Sequence, residues 1–189
     1  MEIGIRACHA GDAPALALVG QATFLQTYAG DMQLADLLAH CEGEHGIARY
    51  AGWLADPAYR LWIAEATEGQ APVGYAVVCP PDLPMPTDDG DVELLRIYVL
   101  HRFHGTGLGA RLMRLVCETA AAAGAGRMFV SLYGRQPPGA RVLCPAGVRR
   151  RRSTPVPDRI ERLRRSGDGQ AAGPGQRIQL GVESPVMTI

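Results

Sequence analysis

Between Glu93 and Met113 the chain reads E-L-L-R-I-Y-V-L-H-R-F-H-G-T-G-L-G-A-R-L-M. An apolar run runs into Gly105, Gly107 and Gly109, and a helix-forming stretch follows. Glycine admits positive φ and lets the backbone come close to a ligand. Free N–H groups at a helix start, with the positive end of its dipole, make an anion site. A pyrophosphate suits such a turn. The spacing is G-x-G-x-G rather than the Rossmann G-x-G-x-x-G, and the Walker pattern fails because the chain has no Lys. Other reactive side chains lie nearby. Glu93 is a carboxylate able to take up a proton, and equally a solvated strand-end group. Asp88, Asp89 and Asp91 form an acidic loop that attracts a cation or is simply polar. His104, beside the glycines, is placed for phosphate or solvent. Cys117 has no base close in sequence and reads as core. Tyr28, Trp53 and Trp62 fit the core better than an acceptor pocket.

The elements that must position these residues can be read from periodicity. Ile3–Ala7 is β-prone, and Asp12 with Pro14 marks a helix start. Leu16, Val19, Thr23, Phe24 and Tyr28 recur at helical spacing, so residues 13–28 read as an amphipathic helix. Helices over 33–41 and 47–54 follow, then strands over 59–65 and 73–79 about a Gly69-Gln70 turn. Residues 80–91 form a Pro/Asp loop, and 92–100 is the strongest strand. Leu108, Leu112, Leu115, Val116 and Thr119 mark one face of a long helix, which Gly124 and Gly126 stop. Residues 127–132 make a further strand. The order is β-α-α-α-β-β-β-α-β, an α/β chain in which 92–132 forms a β-α-β unit.

The 189 residues carry 47% hydrophobic and 20% charged side chains, enough for one packed domain. No run approaches the roughly 20 apolar residues of a membrane span, and no basic-then-apolar start marks a signal peptide. Five cysteines without a C-x-x-C argue against a disulfide scaffold or zinc site and predict a reduced, cytoplasmic chain. The net charge of zero hides a split: residues 1–133 hold 8 Arg against 15 acidic residues, and residues 134–189 hold 11 against 4. All eleven aromatic residues lie at or before Tyr133, while the last 56 residues hold seven Pro and eight Gly. Two kinds of sequence meet near Gly134.

On the segment H-G-T-G-L-G with its I-Y-V-L lead-in, the chain resembles the GNAT superfamily of acetyl-CoA-dependent N-acetyltransferases. That family carries [R/Q]-x-x-G-x-[G/A] here, and His104 departs at the first position. The V-G-Y-A-V-V and L-W-I-A-E-A stretches also fit, and the resemblance spans about residues 3–133. It implies a mixed, mostly antiparallel sheet with splayed central strands and flanking helices. The domain is residues 1–133, incomplete, and 134–189 is a basic, irregular tail. The implied cosubstrate is acetyl-CoA, with no metal. The main chain of Ile97, Tyr98 and Val99 would bond the pantetheine arm. The amides of His104, Gly105, Thr106, Gly107, Leu108, Gly109 and Ala110 would cradle the pyrophosphate. Glu93 would be the general base, directly or through water. The implied acceptor is a primary amine, with A-T-F-L-Q-T-Y-A-G and L-A-D-P-A-Y-R-L-W-I-A-E-A leaning towards small amines and polyamines.

Two other function classes compete. One is an acyl-CoA-binding module without catalysis. The other is nucleic-acid binding through Arg149–Arg152, Arg159, Arg162, Arg164 and Arg165. It ranks below the enzyme because the tail has no aromatics for stacking. No membrane partner is expected, and the oligomeric state is open, a homodimer included.

The family normally follows residues 127–132 with N-x-x-A-x-x-F-Y-x-x-x-G-F, which supplies a helix, an acid Tyr and two final strands. That phrase is absent as written. Codons regrouped across Gln136/Pro137, Gly139/Ala140, Val142/Leu143, Leu143/Cys144, Gly147/Val148 and Val148/Arg149 permit it in order. The expectation is a frameshifted tail that leaves 127–132 with an unpaired edge.

Overall fold

The computed structural model describes residues 1–83, 86–132 and 139–143. Six strands form one sheet in chain order: β1 (Ile3–Ala7), β2 (Arg60–Ala66), β3 (Pro72–Cys79), β4 (Val92–Val99), β5 (Met128–Leu132) and β6 (Gly139–Leu143). Every neighbouring pair is antiparallel except β4–β5. A parallel neighbour needs a crossover, supplied by helix α4 (Leu108–Ala122). Helices α1 (Ala13–Tyr28), α2 (Leu34–Glu44) and α3 (Ile47–Ala55) come between β1 and β2.

The two faces of the sheet bury different partners. Leu16, Ala17 and Val19 of α1 and Tyr50 of α3 pack with Leu61, Ile63, Tyr75 and Val77. On the opposite face Leu112 and Val116 of α4 pack with Trp62, Ala76, Val78, Leu94, Met128 and Val130. Period-2 alternation along β2 and β3 divides these side chains between the layers. In α4 Leu108, Leu112 and Val116 of the expected face are buried together with Ala120, while Leu115 and Thr119 are half-buried.

Three expectations change. Asp12 stands at the start of α1, but its side chain makes no cap. It accepts instead from both Arg6 Nη atoms, at 2.8 and 2.9 Å, and from the His9 N–H at 2.7 Å. The stronger charge-assisted pair wins over the cap. The helix expected to end at Cys41 runs to Glu44. The edge of β5 is not bare: Gly139–Leu143 pairs with it antiparallel, Met128 opposite Leu143 and Leu132 opposite Gly139. A ladder is built from main-chain groups, so a segment without aromatics can supply it. Of the tail, residues 134–138 and 144–189 lie outside the described residues, and with them the rest of the expected irregular segment and the frameshift reading.

Candidate active site

The central feature is where β4 and β5 part. Their parallel ladder holds only Val92 opposite Met128, Glu93 opposite Phe129 and Leu94 opposite Val130. β4 continues to Val99, paired on its other side to β3 as far as Gly74. The register with β3 also slips here: Val78 faces Leu94 while Val77 faces Arg96, so Leu95 is the extra residue of a bulge. A bulge adds local twist and bends its strand. The bulge and the end of the β5 ladder coincide, and a slot opens beside Arg96–Val99. Splayed central strands are what the family resemblance implies.

The far end of β4 leads into the glycine turn. A short 3-10 turn, His101–Phe103, is followed by Gly105 at φ 75° and Gly107 at φ 81°. Gly107 is the residue before α4, in left-handed conformation. A Cβ built on Gly105, Gly107 or Gly109 would meet nothing within 4 Å. The turn thus presents bare backbone to open space. The first helical bond of α4 runs from the Arg111 N–H to the Gly107 carbonyl at 3.0 Å. The N–H groups of Leu108, Gly109 and Ala110 precede it and have no intrahelical acceptor. These donors and the open space fit a pyrophosphate.

Two of the N–H groups in residues 104–110 are already bound within the turn. The His104 N–H is bound to the His101 carbonyl at 2.9 Å and the Thr106 N–H to the Phe103 carbonyl at 3.4 Å. The 3-10 turn consumes both donors. The His104 imidazole Nε2 lies 2.9 Å from the Val99 carbonyl, so its side chain ties the turn to the end of β4. It sits edge-on to His101, with ring centroids 4.9 Å apart.

Glu93 is buried, at 1% exposure. Its carboxylate accepts from the Asp82 N–H at 3.1 Å, which fixes the chain after β3. Leu94 faces α4, so alternation turns Glu93 towards the face that carries α1–α3. Ile97 packs on the α4 side and Tyr98 on the α1–α3 side, so both side chains are packing groups. Tyr98 stacks on Tyr75 at 5.7 Å, and burial pushes its hydroxyl up to about 12.

The acidic loop is divided. Asp91 is buried, accepts from the Asp88 N–H and pairs with Arg127, which also binds Asp88. Arg127 holds the Asp91 carboxyl below the usual range. These two carboxylates fasten the loop to the start of β5, Asp91 from a buried position and Asp88 from an exposed one. Trp62 is buried against α4, and Trp53 packs at the α1–α3 layer. Burial raises the Cys117 thiol, which keeps it protonated and inert.

One cluster has no counterpart in the motif reading. Arg96 follows the bulge, and its guanidinium donates to the Glu44 carbonyl at 2.8 Å, the Glu44 carboxylate at 3.0 Å and the Tyr50 hydroxyl at 3.2 Å. It lies over the Trp53 ring, 4.8 Å from its centroid. The Tyr50 hydroxyl is 2.9 Å from His45 Nδ1 and 3.1 Å from the Tyr75 hydroxyl. Burial brings the His45 imidazole down to about 2 and His40 down to about 4, each with a smaller push from Arg96. The signal was present in the sequence: an arginine inside the apolar run L-L-R-I-Y-V is rarely buried without a partner.

Comparison with known proteins places this geometry in context. The model of the acetyltransferase (GNAT) family matches residues 25–137. The uncharacterized N-acetyltransferase Rv2669 of Mycobacterium tuberculosis is 35% identical over 121 residues, 64% of this chain and 72% of that protein. Among solved structures, the PaiA N-acetyltransferase of Thermoplasma acidophilum, in complex with coenzyme A, superposes with a TM-score of 0.61 at 17% identity. That match covers 72% of this chain and 82% of the other. The aminoglycoside N-acetyltransferase AAC(6')-Iy, in complex with CoA, gives a TM-score of 0.52 at 16% identity over 70% and 78%. These two likenesses concern the fold.

Proposed function

The chain belongs to the acetyltransferase (GNAT) family and is an N-acyltransferase, and from that premise we propose that it moves an acetyl group from acetyl-CoA to a primary amine on a small molecule. The observation that carries the reading is the parting of β4 and β5 after Leu94, directly upstream of a glycine turn with free helix-start donors. A pantetheine arm along Ile97, Tyr98 and Val99 would act as an added strand in the slot. The N–H groups of Gly105, Gly107, Leu108, Gly109 and Ala110 would meet the pyrophosphate.

An ammonium near pKa 10.4 has no lone pair to attack with. Glu93 is the group that takes its proton. Its burial and its bond to the Asp82 N–H favour a proton passed through a water over direct contact. The freed amine attacks the thioester carbonyl, the tetrahedral adduct gives up its second N–H proton to solvent, the C–S bond breaks, and the thiolate leaves and takes a proton from solvent. Glu93 faces the α1–α3 layer, so the amine arrives from that side, opposite α4. The AAC(6')-Iy neighbour is by name an aminoglycoside acetyltransferase, which suits an amine-bearing small molecule. The sequence phrases in α1 and β2 lean towards a small amine or polyamine.

The test is a turnover screen with the full chain and acetyl-CoA. Thiol release would be followed against spermidine, tyramine, kanamycin and a short peptide with a free N-terminus. Acetylated product of the expected mass with one of the small amines supports the reading. Tight CoA binding without transfer to any of them would make the protein an acyl-CoA-binding module instead.

A further inference from the structure

We propose that Arg96 is a positioning residue that fastens helix α2 to the bulge of β4 and thereby sets affinity for the amine. The proposal rests on the acetyl-transfer reading above, in which the amine arrives on the α1–α3 side.

Helix α2 is poorly anchored by packing. Of its eleven residues only Leu37 is buried, while Leu34 and Leu38 stand largely exposed. Its C-terminal end is fixed by polar bonds instead. Gln21 of α1 donates to the His45 carbonyl at 3.1 Å and lies 3.5 Å from the Cys41 carbonyl. From the sheet, Arg96 donates to both the carbonyl and the carboxylate of Glu44. Two parallel donations to one residue fix orientation as well as distance. The same guanidinium reaches the Tyr50 hydroxyl and lies over Trp53, so α3 is held in the same grip. Arg96 follows the extra residue Leu95 at the vertex where β5 departs. The position of α2 is thereby tied to the point at which the thioester slot opens.

A site held by few bonds responds to the loss of one of them. Without the guanidinium, Glu44 keeps its bond from Arg49 of α3 at 2.8 Å but loses its partner on the sheet, and α2 loses its direct tie to β4. The CoA turn does not depend on this tie, because its anchors are His104 on Val99 and α4 on the opposite face. Binding of the two substrates should therefore separate.

The experiment uses the full chain, CoA and the best amine of the screen above. Arg96→Met keeps the length and apolar stem. It should raise the KM for the amine about tenfold or more while kcat falls less and the CoA Kd stays within about twofold. Arg96→Lys restores charge without the fork and should recover only part of the loss. Glu44→Gln keeps the fold's shape, weakens the same tie, and should move the amine KM in the same direction by less. It serves equally if Arg96→Met does not fold. An unchanged amine KM in a folded Arg96→Met or Glu44→Gln protein overturns the proposal. So does a parallel loss of amine and CoA affinity, which marks a merely structural role. If the unaltered chain acetylates none of the amines, the acetyl-transfer reading fails first, and the two failures are distinct.

Discussion

Glu93, the proposed proton acceptor, also anchors the chain after β3. Glu93→Gln separates the two roles, because the amide still accepts from the Asp82 N–H but cannot take a proton. Turnover should fall by roughly 10²–10⁴-fold, and CoA affinity, measured by calorimetry, should hold. Near-normal turnover across pH would move the base elsewhere. The histidines give a second expectation. His40 and His45 are neutral in the fold, brought by burial to about 4 and about 2. An unfolded chain takes up protons at both from about pH 6.5 downward. Stability is therefore lost as pH falls through that value, and the loss continues towards the folded values. Urea midpoints at about pH 7 and about pH 5 should show it. His40→Phe, which keeps the stack on Phe24, should flatten the dependence by one histidine's share, and an unchanged slope would remove His40 from the account. Site legibility at this scale was uneven. Glycines and a strand-end carboxylate announce themselves by type and spacing. The Arg96, Glu44, His45, Tyr50 and Tyr75 cluster is assembled from four separate elements and the α2–α3 connection, so no local spacing encodes it.

At the scale of elements, the glycine turn offers a controlled comparison. Gly107 and Gly69 both have positive φ, 81° and 78°, and a Cβ at either meets nothing within 4 Å. An alanine at either site costs about 1–2 kcal/mol of left-handed strain. Only Gly107 faces the proposed phosphate. Gly107→Ala and Gly69→Ala should therefore lower the melting temperature alike, while CoA affinity falls only in Gly107→Ala and is abolished in Gly107→Trp. Full CoA affinity in a folded Gly107→Trp protein would refute the placement. Strands and helices up to Leu132 were legible to within a few residues because burial imposes periods of 2 and 3.6 on their side chains, whereas β6 (Gly139–Leu143) was not. The β4 bulge was not, because Leu94, Leu95 and Ile97 are all apolar and their pattern does not show which residue is extra. Nor was the Asp12 pairing, since a helix-start carboxylate reads as a cap until Arg6 is seen across from it. The tie of the acidic loop to Arg127 was not legible either, because only the fold brings the two together.

At the scale of the whole molecule, the open question is the change of sequence type near Gly134. The family match ends at residue 137, close to where the aromatics cease and arginine rises. The pairing of Gly139–Leu143 with β5 closes that sheet edge, so a bare edge is no longer a reason to expect aggregation. The coding argument is independent of that edge. Six codon junctions from Gln136/Pro137 to Val148/Arg149 each permit one residue of N-x-x-A-x-x-F-Y-x-x-x-G-F, in order and at the family spacing. A frameshift at this point would account at once for the permitted phrase, the loss of aromatics and the reversal of net charge. Reading the coding strand decides the matter. The expected outcome is the shifted phrase, Phe-Tyr and Gly-Phe included, just past the codon of Gly134. A chain restored to that frame should regain the family's acid tyrosine and acetylate its amine faster than the present chain at equal CoA affinity. A shifted frame without Phe-Tyr and Gly-Phe would make residues 134–189 a native segment, with β6 as its own solution to the edge of the sheet.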